Sequence, residues 1–240
     1  MLLPFSGLQR TELADLKDWR LLARAGFIAC GISCILTALK TAPIANVFGA
    51  FFVGPIVSYI LALLFLGEKP SPLRSGLLAL GFLGVMLEVK PGFGASWGMV
   101  FALLAGTFYG AYLAMTRVVA GAFRPRFLLM SQLLIGAVIM APFGVSAGAP
   151  TFSLGITALV TLSALASAFG NFLLVIASKS AEASLIAPLV YSQLISATVL
   201  GVLVFGDWPD AVSLLGLILI AASGVGSLVA SQSTAIAKRQ

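Results

Sequence analysis

The sequence predicts an all-α integral membrane protein, a bundle of about eight transmembrane helices that carries an internal repeat. Of the 240 residues, 60% are hydrophobic and 9% are charged, and the mean hydropathy is +1.10. Charged residues make up about a quarter of an ordinary soluble domain. Apolar stretches near the ~20 residues that cross a hydrocarbon core predict spans at 22–40, 44–66, 73–89, 97–119, 127–147, 152–178, 183–205 and 211–230.

The basic residues are distributed unevenly between the predicted loops. The net charge is +6. If the N-terminus is cytoplasmic, only Lys40 and Lys90 lie outside, and the other twelve Lys and Arg residues lie inside. This positive-inside bias predicts that both termini are cytoplasmic. It also indicates that the charge faces the anionic headgroups of a lipid bilayer, and not a nucleic acid.

Two predicted spans belong to a repeated segment. Residues 38–70 end in Gly-Glu-Lys-Pro and recur, 139 residues later, as residues 177–209, which end in Gly-Asp-Trp-Pro. Five predicted spans separate the two acidic motifs, and this odd number places the motifs on opposite sides of the membrane. The repeats are therefore predicted to be inverted, which is a common design in secondary transporters.

The two repeats differ in their number of spans. Residues 97–230 contain five predicted spans, whereas residues 22–92 contain three. Symmetry therefore predicts a 5+5 fold that lacks its first two helices, with residues 1–21 as a cytoplasmic segment and 231–240 as a cytoplasmic tail. Two explanations stay open. Either the start is misplaced or the gene is a fragment, or an eight-span protein is real and is completed by a partner chain, such as a second copy in a homodimer.

Short motifs occur in the same order in both halves. Those that carry a family likeness are Ala38-x-x-Thr41, Pro55 thirteen residues before Glu68, Gly84-Val85, Lys90-Pro91-Gly92, Gly98, Arg117, Ala177, Ala187-Pro188-Leu189, Gly206-Asp207 and Gly216. With these motifs the chain resembles the EamA-type transporters of the drug/metabolite transporter superfamily. The resemblance implies two five-helix repeats and a bacterial inner (plasma) membrane location. It also implies transport of small molecules such as amino acids, related metabolites or drugs.

The chain departs from that family pattern in its second half as well as at its start. Asp207 replaces the usual Glu, and Leu194 stands where a second proline would match Pro55.

Polar side chains within the spans predict a central substrate-binding cavity. Proline frees backbone carbonyl groups in a membrane helix, so Pro55 and Pro188 are predicted to kink gating helices. Polar residues near such breaks are typical of transport sites. The predicted substrate-binding residues are Tyr109, Tyr112, Gln132, Asn171, Tyr191 and Gln193. The alternative for each is a hydrogen bond between helices. The absence of deep charge favours a neutral, zwitterionic or amphiphilic solute, moved by alternating access.

Glu68 and Asp207 are the acidic residues of the two repeated motifs. One hypothesis makes them gating or coupling carboxylates. The other makes them residues at helix ends that cap the N-terminus of the next helix, where a negative charge is favourable. Each is followed by a Pro that can begin that helix.

The sequence contains no constellation typical of an enzyme. It has no histidine, and its two cysteines, Cys30 and Cys34, have no further metal ligand near them in the chain. It has no glycine-rich phosphate loop. We therefore predict no enzymatic activity, no cofactor and no metal. The predicted function is a secondary transporter of a small-molecule substrate, and the alternative is a truncated or non-transporting membrane scaffold or assembly partner.

Overall fold

The structure, a computed structural model, describes residues 15–90, 96–146, 153–206 and 208–237, and no strand occurs among them. Eight segments of this part of the chain are helical, long and apolar enough to cross a membrane. They are Trp19–Ala38, Ile44–Phe65, Pro72–Val89, Trp97–Ala120, Pro125–Val145, Leu154–Ser180, Ala183–Val204 and Ala211–Ala230. The prediction of an all-helical membrane protein with about eight spans is therefore confirmed.

Two of the eight spans are each built from two consecutive helices, so the described residues form ten helices. These are α1 (Trp19–Ala38), α2 (Ile44–Phe51), α3 (Gly54–Phe65), α4 (Pro72–Val89), α5 (Trp97–Ala120), α6 (Pro125–Ser146), α7 (Leu154–Ser180), α8 (Ala183–Val190), α9 (Gln193–Phe205) and α10 (Ala211–Ala237). The second span is α2 with α3, and the seventh is α8 with α9.

Proline and glycine mark the ends of several helices. Pro72 is the first residue of α4 and Pro125 is the first residue of α6, positions at which the missing N–H has no helical partner to lose. Gly67 and Gly206 follow α3 and α9 with φ of +67° and +74°. This left-handed conformation ends helices and favours glycine. Both residues belong to the repeated acidic motifs.

The chain divides into two compact units. The first contains Met115–Ser180 and the residues up to Ala29, and the second contains Cys30–Ala114 and Ala181–Gln240. In the first unit a cluster of Leu21, Val119, Phe127, Leu128 and Val175 forms the core. Beside it Arg24 is buried, and its guanidinium donates to the Thr116 hydroxyl at 2.9 Å and to the Leu128 carbonyl at 3.0 Å. The two acceptors satisfy part of the hydrogen-bonding demand of this buried charge.

Glycines allow close helix packing in the second unit. A Cβ built on Gly84 of α4 would lie 2.6 Å from the carbonyl oxygen of Gly216 of α10, and the reverse distance is also 2.6 Å. On α5, a Cβ built on Gly106 or Gly110 would lie 2.5 Å from the carbonyl oxygen of Phe51 or Gly54, respectively. Small residues at such crossings let membrane helices approach closely. The region between α2 and α3 is therefore held directly against α5.

Candidate functional site

The two interrupted spans break at positions that are equivalent in the repeat. The first break lies between Phe51, the end of α2, and Gly54, the start of α3. The second lies between Val190, the end of α8, and Gln193, the start of α9. Pro55 lies in the first turn of α3, and Pro188 lies in α8, three residues before Tyr191, where the linking turn begins. Both predicted prolines therefore adjoin a break, although they stand on opposite sides of it.

The two breaks contact each other within the second unit. The hydroxyl of Tyr191 donates to the backbone carbonyl of Phe52 at 3.3 Å, and the ring centroids of these two residues are 6.0 Å apart. Both side chains are almost fully buried. A Cβ on Gly81 would lie 2.6 Å from the Tyr191 ring, so glycine at this position leaves the space that the ring fills. The breaks thus meet at the centre of the core of this unit.

A cavity of about 610 Å³ lies beside the crossing of the breaks. Three phenylalanines, Phe48, Phe51 and Phe52, form an aromatic wall, and Gln193 and Glu88 supply polar groups. The remaining lining residues are Ile44, Ala45, Val89, Leu194 and Ala197. The volume falls within the range of small-molecule sites, which are mostly apolar with a few polar groups that orient the ligand.

Tyrosines support the aromatic wall from behind. The ring of Tyr109 packs on Phe51 with a centroid distance of 5.1 Å, and Tyr112 stacks on Tyr109 at 6.1 Å. Tyr191 packs edge to face on Phe52. Aromatic pairs at such distances are attractive beyond the area that they bury. The tyrosines therefore hold the phenylalanine rings of the wall in place.

Of the six predicted substrate-binding residues, Gln193 lines this cavity, and Tyr109, Tyr112 and Tyr191 belong to the layer behind it. The other two belong to the first unit. Gln132 is buried there, and the Asn171 amide donates to the Ser167 carbonyl at 2.9 Å. Asp207 lies outside the described residues. The three phenylalanines and Glu88 also line the cavity, and no motif in the sequence predicts this.

Glu68 caps the N-terminus of a helix that is distant in the sequence. Its two carboxylate oxygens accept hydrogen bonds from the backbone N–H groups of Ala183 and Ser184, at 2.7 and 2.9 Å, at the start of α8. Arg74 pairs with Glu182 and donates to the Ser184 hydroxyl at 2.8 Å. We call these five residues the Glu68 cap. The hypothesis that Glu68 caps the next helix in the sequence, α4, is therefore wrong. The residue at the N-terminus of α4 is Ser71, and Glu68 caps α8.

A second pair of charged residues joins the end of α4 to the start of α10. Lys90 forms an ion pair with Asp210, and the other Asp210 oxygen accepts the Ser213 N–H at 2.9 Å. The hydrogen bond from Lys90, followed by that from Ser213, lowers the pKa of the Asp210 carboxyl to about 2. Asp210 therefore remains ionised and caps α10 over the whole physiological pH range.

The two broken spans run in opposite directions. The end of α3 meets the start of α8 at the Glu68 cap, and the spans cross at Phe52 and Tyr191. Residues at the start of α2, the end of α4 and the start of α9 line the cavity. The cavity therefore lies between the crossing point and the end of the second unit opposite to the Glu68 cap.

The described part of the chain contains no group of three or more Cys, Asp or Glu residues that could hold a metal ion. What the site offers a ligand is an aromatic wall, one amide and one carboxylate. Such a set binds and orients a solute by packing and hydrogen bonds.

Eight apolar spans in the described residues, two of them broken beside a cavity, define a multi-pass integral membrane protein. The sequence profile of the EamA-like transporter family matches residues 1–89 and 96–229, and the chain therefore belongs to this family. A riboflavin transporter from Rhizobium johnstonii is 29% identical over 222 residues, which are 91% of this chain and 73% of that protein. Together the family and this relative support a membrane transporter of a small metabolite, and they point away from an enzyme.

A solved crystal structure has the same fold. It aligns with 93% of this chain and 83% of its own chain, with a TM-score of 0.76 and 18% sequence identity. At this level of identity the likeness concerns the fold alone.

Proposed function

We propose that this protein is a secondary transporter that moves a planar aromatic metabolite of the flavin class across a bacterial inner membrane by alternating access. The observation that carries the proposal is the cavity beside the crossing of the two broken helices, with its wall of Phe48, Phe51 and Phe52. Flat rings bind favourably to aromatic side chains. The 29% identity with a riboflavin transporter points to the same class of solute.

The arrangement of the second unit supports alternating access. Discontinuous helices at the centre of a repeat are typical substrate sites of secondary transporters. The breaks are equivalent in the repeat, and the two broken spans run in opposite directions, as inverted repeats require. The proposed cycle opens the cavity on one side while the Glu68 cap closes the other. Transport would then need the cap to open, with Pro55 and Pro188 beside the breaks that bend.

The predicted topology indicates which side of the membrane the Glu68 cap and the cavity each face. With cytoplasmic termini, the Glu68 cap lies on the cytoplasmic side and the cavity lies on the outer side. The Glu68 cap contains Arg74, one of the twelve predicted inside charges, whereas Lys90 near the cavity is one of the two predicted outside charges. In this interpretation the structure represents an outward-facing state. The amino acids and other zwitterionic solutes expected from the family resemblance are less suited to a wall of three phenylalanines.

Counterflow in proteoliposomes tests the proposal without assuming the direction of transport. Vesicles that contain the purified protein are loaded with excess unlabelled riboflavin and diluted into a trace of labelled riboflavin. We expect labelled riboflavin to accumulate transiently. Phe48→Ala should reduce the initial rate about 3- to 10-fold, as expected for the loss of an aromatic contact. Phe169→Ala, which alters an exposed residue of α7, is the matched control.

Two results would contradict the proposal. Wild-type vesicles that accumulate no more label than protein-free vesicles would exclude flavin transport and would favour a scaffold role. Equal rates for Phe48→Ala and Phe169→Ala, with flavin transport retained, would mean that the aromatic wall is not the site.

A further inference from the structure

Glu88 is an acidic residue in the last turn of α4, and its carboxylate is only half satisfied by the protein. One oxygen accepts a hydrogen bond from the Thr198 hydroxyl of α9 at 2.8 Å. The other oxygen is buried and has no hydrogen-bond partner among the described residues. Glu88 lines the cavity that contains the three phenylalanines. An acceptor that is withdrawn from water and left without a donor is costly, and none of the described residues supplies that donor.

The charged groups around Glu88 do not supply that partner. Lys90, two residues further along, pairs with Asp210. On α10, Ser213 lies within 3.5 Å of the backbone carbonyl of Glu88, and Gly216 has no side chain to offer. None of the ion pairs in the described part of the chain includes Glu88.

We infer that Glu88 is a specificity-determining residue, whose carboxylate accepts a hydrogen bond from a ring N–H of the planar aromatic solute. This inference rests on the proposed function. An ionised carboxylate only accepts hydrogen bonds, and bonds to charged acceptors are stronger than bonds between neutral groups. Gln193, in the same cavity, carries both a donor and an acceptor. A ring edge on which an N–H stands between two carbonyl groups complements these two side chains while the ring faces the phenylalanines.

A hydrogen bond to Glu88 makes the cavity selective for ligands that carry an N–H at the ring edge. A solute with an N–H at the ring edge satisfies Glu88, whereas the same ring with a methyl group on that nitrogen leaves the carboxylate buried without a donor. A site built to hydrogen-bond a ligand rejects an analogue that lacks the matching group. A ligand with an anionic group at this edge is rejected by charge repulsion as well.

Riboflavin and its N3-methyl derivative form a matched pair for the test, because they differ only at the imide nitrogen of the ring. Binding of each to the full chain in lipid nanodiscs is followed by quenching of flavin fluorescence. We expect the wild type to bind riboflavin about 10- to 100-fold more tightly than the methylated flavin. Glu88→Ala should weaken riboflavin binding by a similar factor and remove the preference. Asp210→Asn, which removes a nearby carboxylate outside the cavity, should leave the preference intact.

Size-exclusion profiles of each variant show whether it folds. If Glu88→Ala does not fold, Glu88→Gln replaces it, and the preference between the two flavins should then fall by more than about threefold, because the charge of the acceptor is lost. Equal binding of the two flavins by the wild type, or a full preference in the Glu88 variant, would overturn the inference and leave flavin transport standing. A wild-type protein that binds neither flavin would overturn both.

Discussion

Glu68→Gln should loosen the start of α8, because glutamine has one acceptor oxygen in place of two and carries no charge. In the structure the two Glu68 oxygens accept the N–H groups of Ala183 and Ser184 at 2.7 and 2.9 Å. The loss of a cap costs about 0.5–2 kcal/mol, and the loss of a negative charge at a helix N-terminus costs about 0.3–1 kcal/mol. We therefore expect the capped state to lose about 1–2 kcal/mol, which is a factor of roughly 5–30 in population.

Hydrogen–deuterium exchange of the peptide that contains the start of α8 measures this change, since the two amides exchange when the cap opens. Exchange at Ala183 and Ser184 should become roughly 5–30 times faster in Glu68→Gln. Glu182→Gln is the comparison variant, because it also removes a negative charge at the start of α8 but leaves both capping hydrogen bonds in place. Unchanged exchange in Glu68→Gln, or an equal increase in both variants, would refute the capping role.

Three further predictions concern packing, the crossing of the breaks and pH. Gly84→Leu should prevent stable folding, because its Cβ would collide with the backbone of α10. Gly76→Leu should fold, because the space around Gly76 is open. Thermal-shift and size-exclusion measurements in detergent distinguish the two variants. Tyr191→Phe should lower the free energy of unfolding by about 0.5 kcal/mol, the low end for a hydrogen bond. The loss is small because the hydrogen bond to Phe52 is long and the aromatic ring is kept. A loss above about 2 kcal/mol would contradict this. The lowered pKa of Asp210 stabilises the protein above its ordinary pKa of 3.8, and this contribution is lost as the pH falls toward 2. Asp210→Asn should therefore reduce the change in melting temperature between these pH values. An unchanged dependence of the melting temperature on pH would refute the role of the pairing between Asp210 and Lys90.

The membrane spans could be predicted closely from the sequence because each span must satisfy its own backbone and face lipid. Hydropathy over about 20 residues therefore carries the signal locally. The predicted seventh span, 183–205, corresponds to Ala183–Val204, and the predicted third, 73–89, corresponds to Pro72–Val89. The repeat offset also located the two equivalent segments in which the helices break.

The positions of the breaks could not be predicted from the prolines alone. Pro55 and Pro188 are not equivalent in the repeat, yet the helices are interrupted at the equivalent residues Phe52 and Tyr191. These two residues contact each other, and Gly106 lies against the backbone at the first break. The point of interruption therefore depends on helices that are distant in the sequence.

The places of the predicted site residues in the fold could not be predicted either, for the same reason. A polar residue in an apolar span can line a cavity or join two helices. In the structure Gln193 lines the cavity, whereas Tyr109 packs against Phe51. Glu88, as the last acid of its span, is typical of a residue at the membrane surface, but Thr198 donates to one of its oxygens and the other oxygen is buried.

Local apolar length and the repeat were sufficient to predict a helical membrane protein of about eight spans, since apolar length is a property of neighbouring residues. The tertiary structure alone decided which helix Glu68 caps, which rings form the wall of the cavity and which carboxylate faces it. Each of these depends on contacts across about 100 residues of sequence, such as the bond from Thr198 to Glu88 over 110 residues, and their geometry is set only when the helices pack.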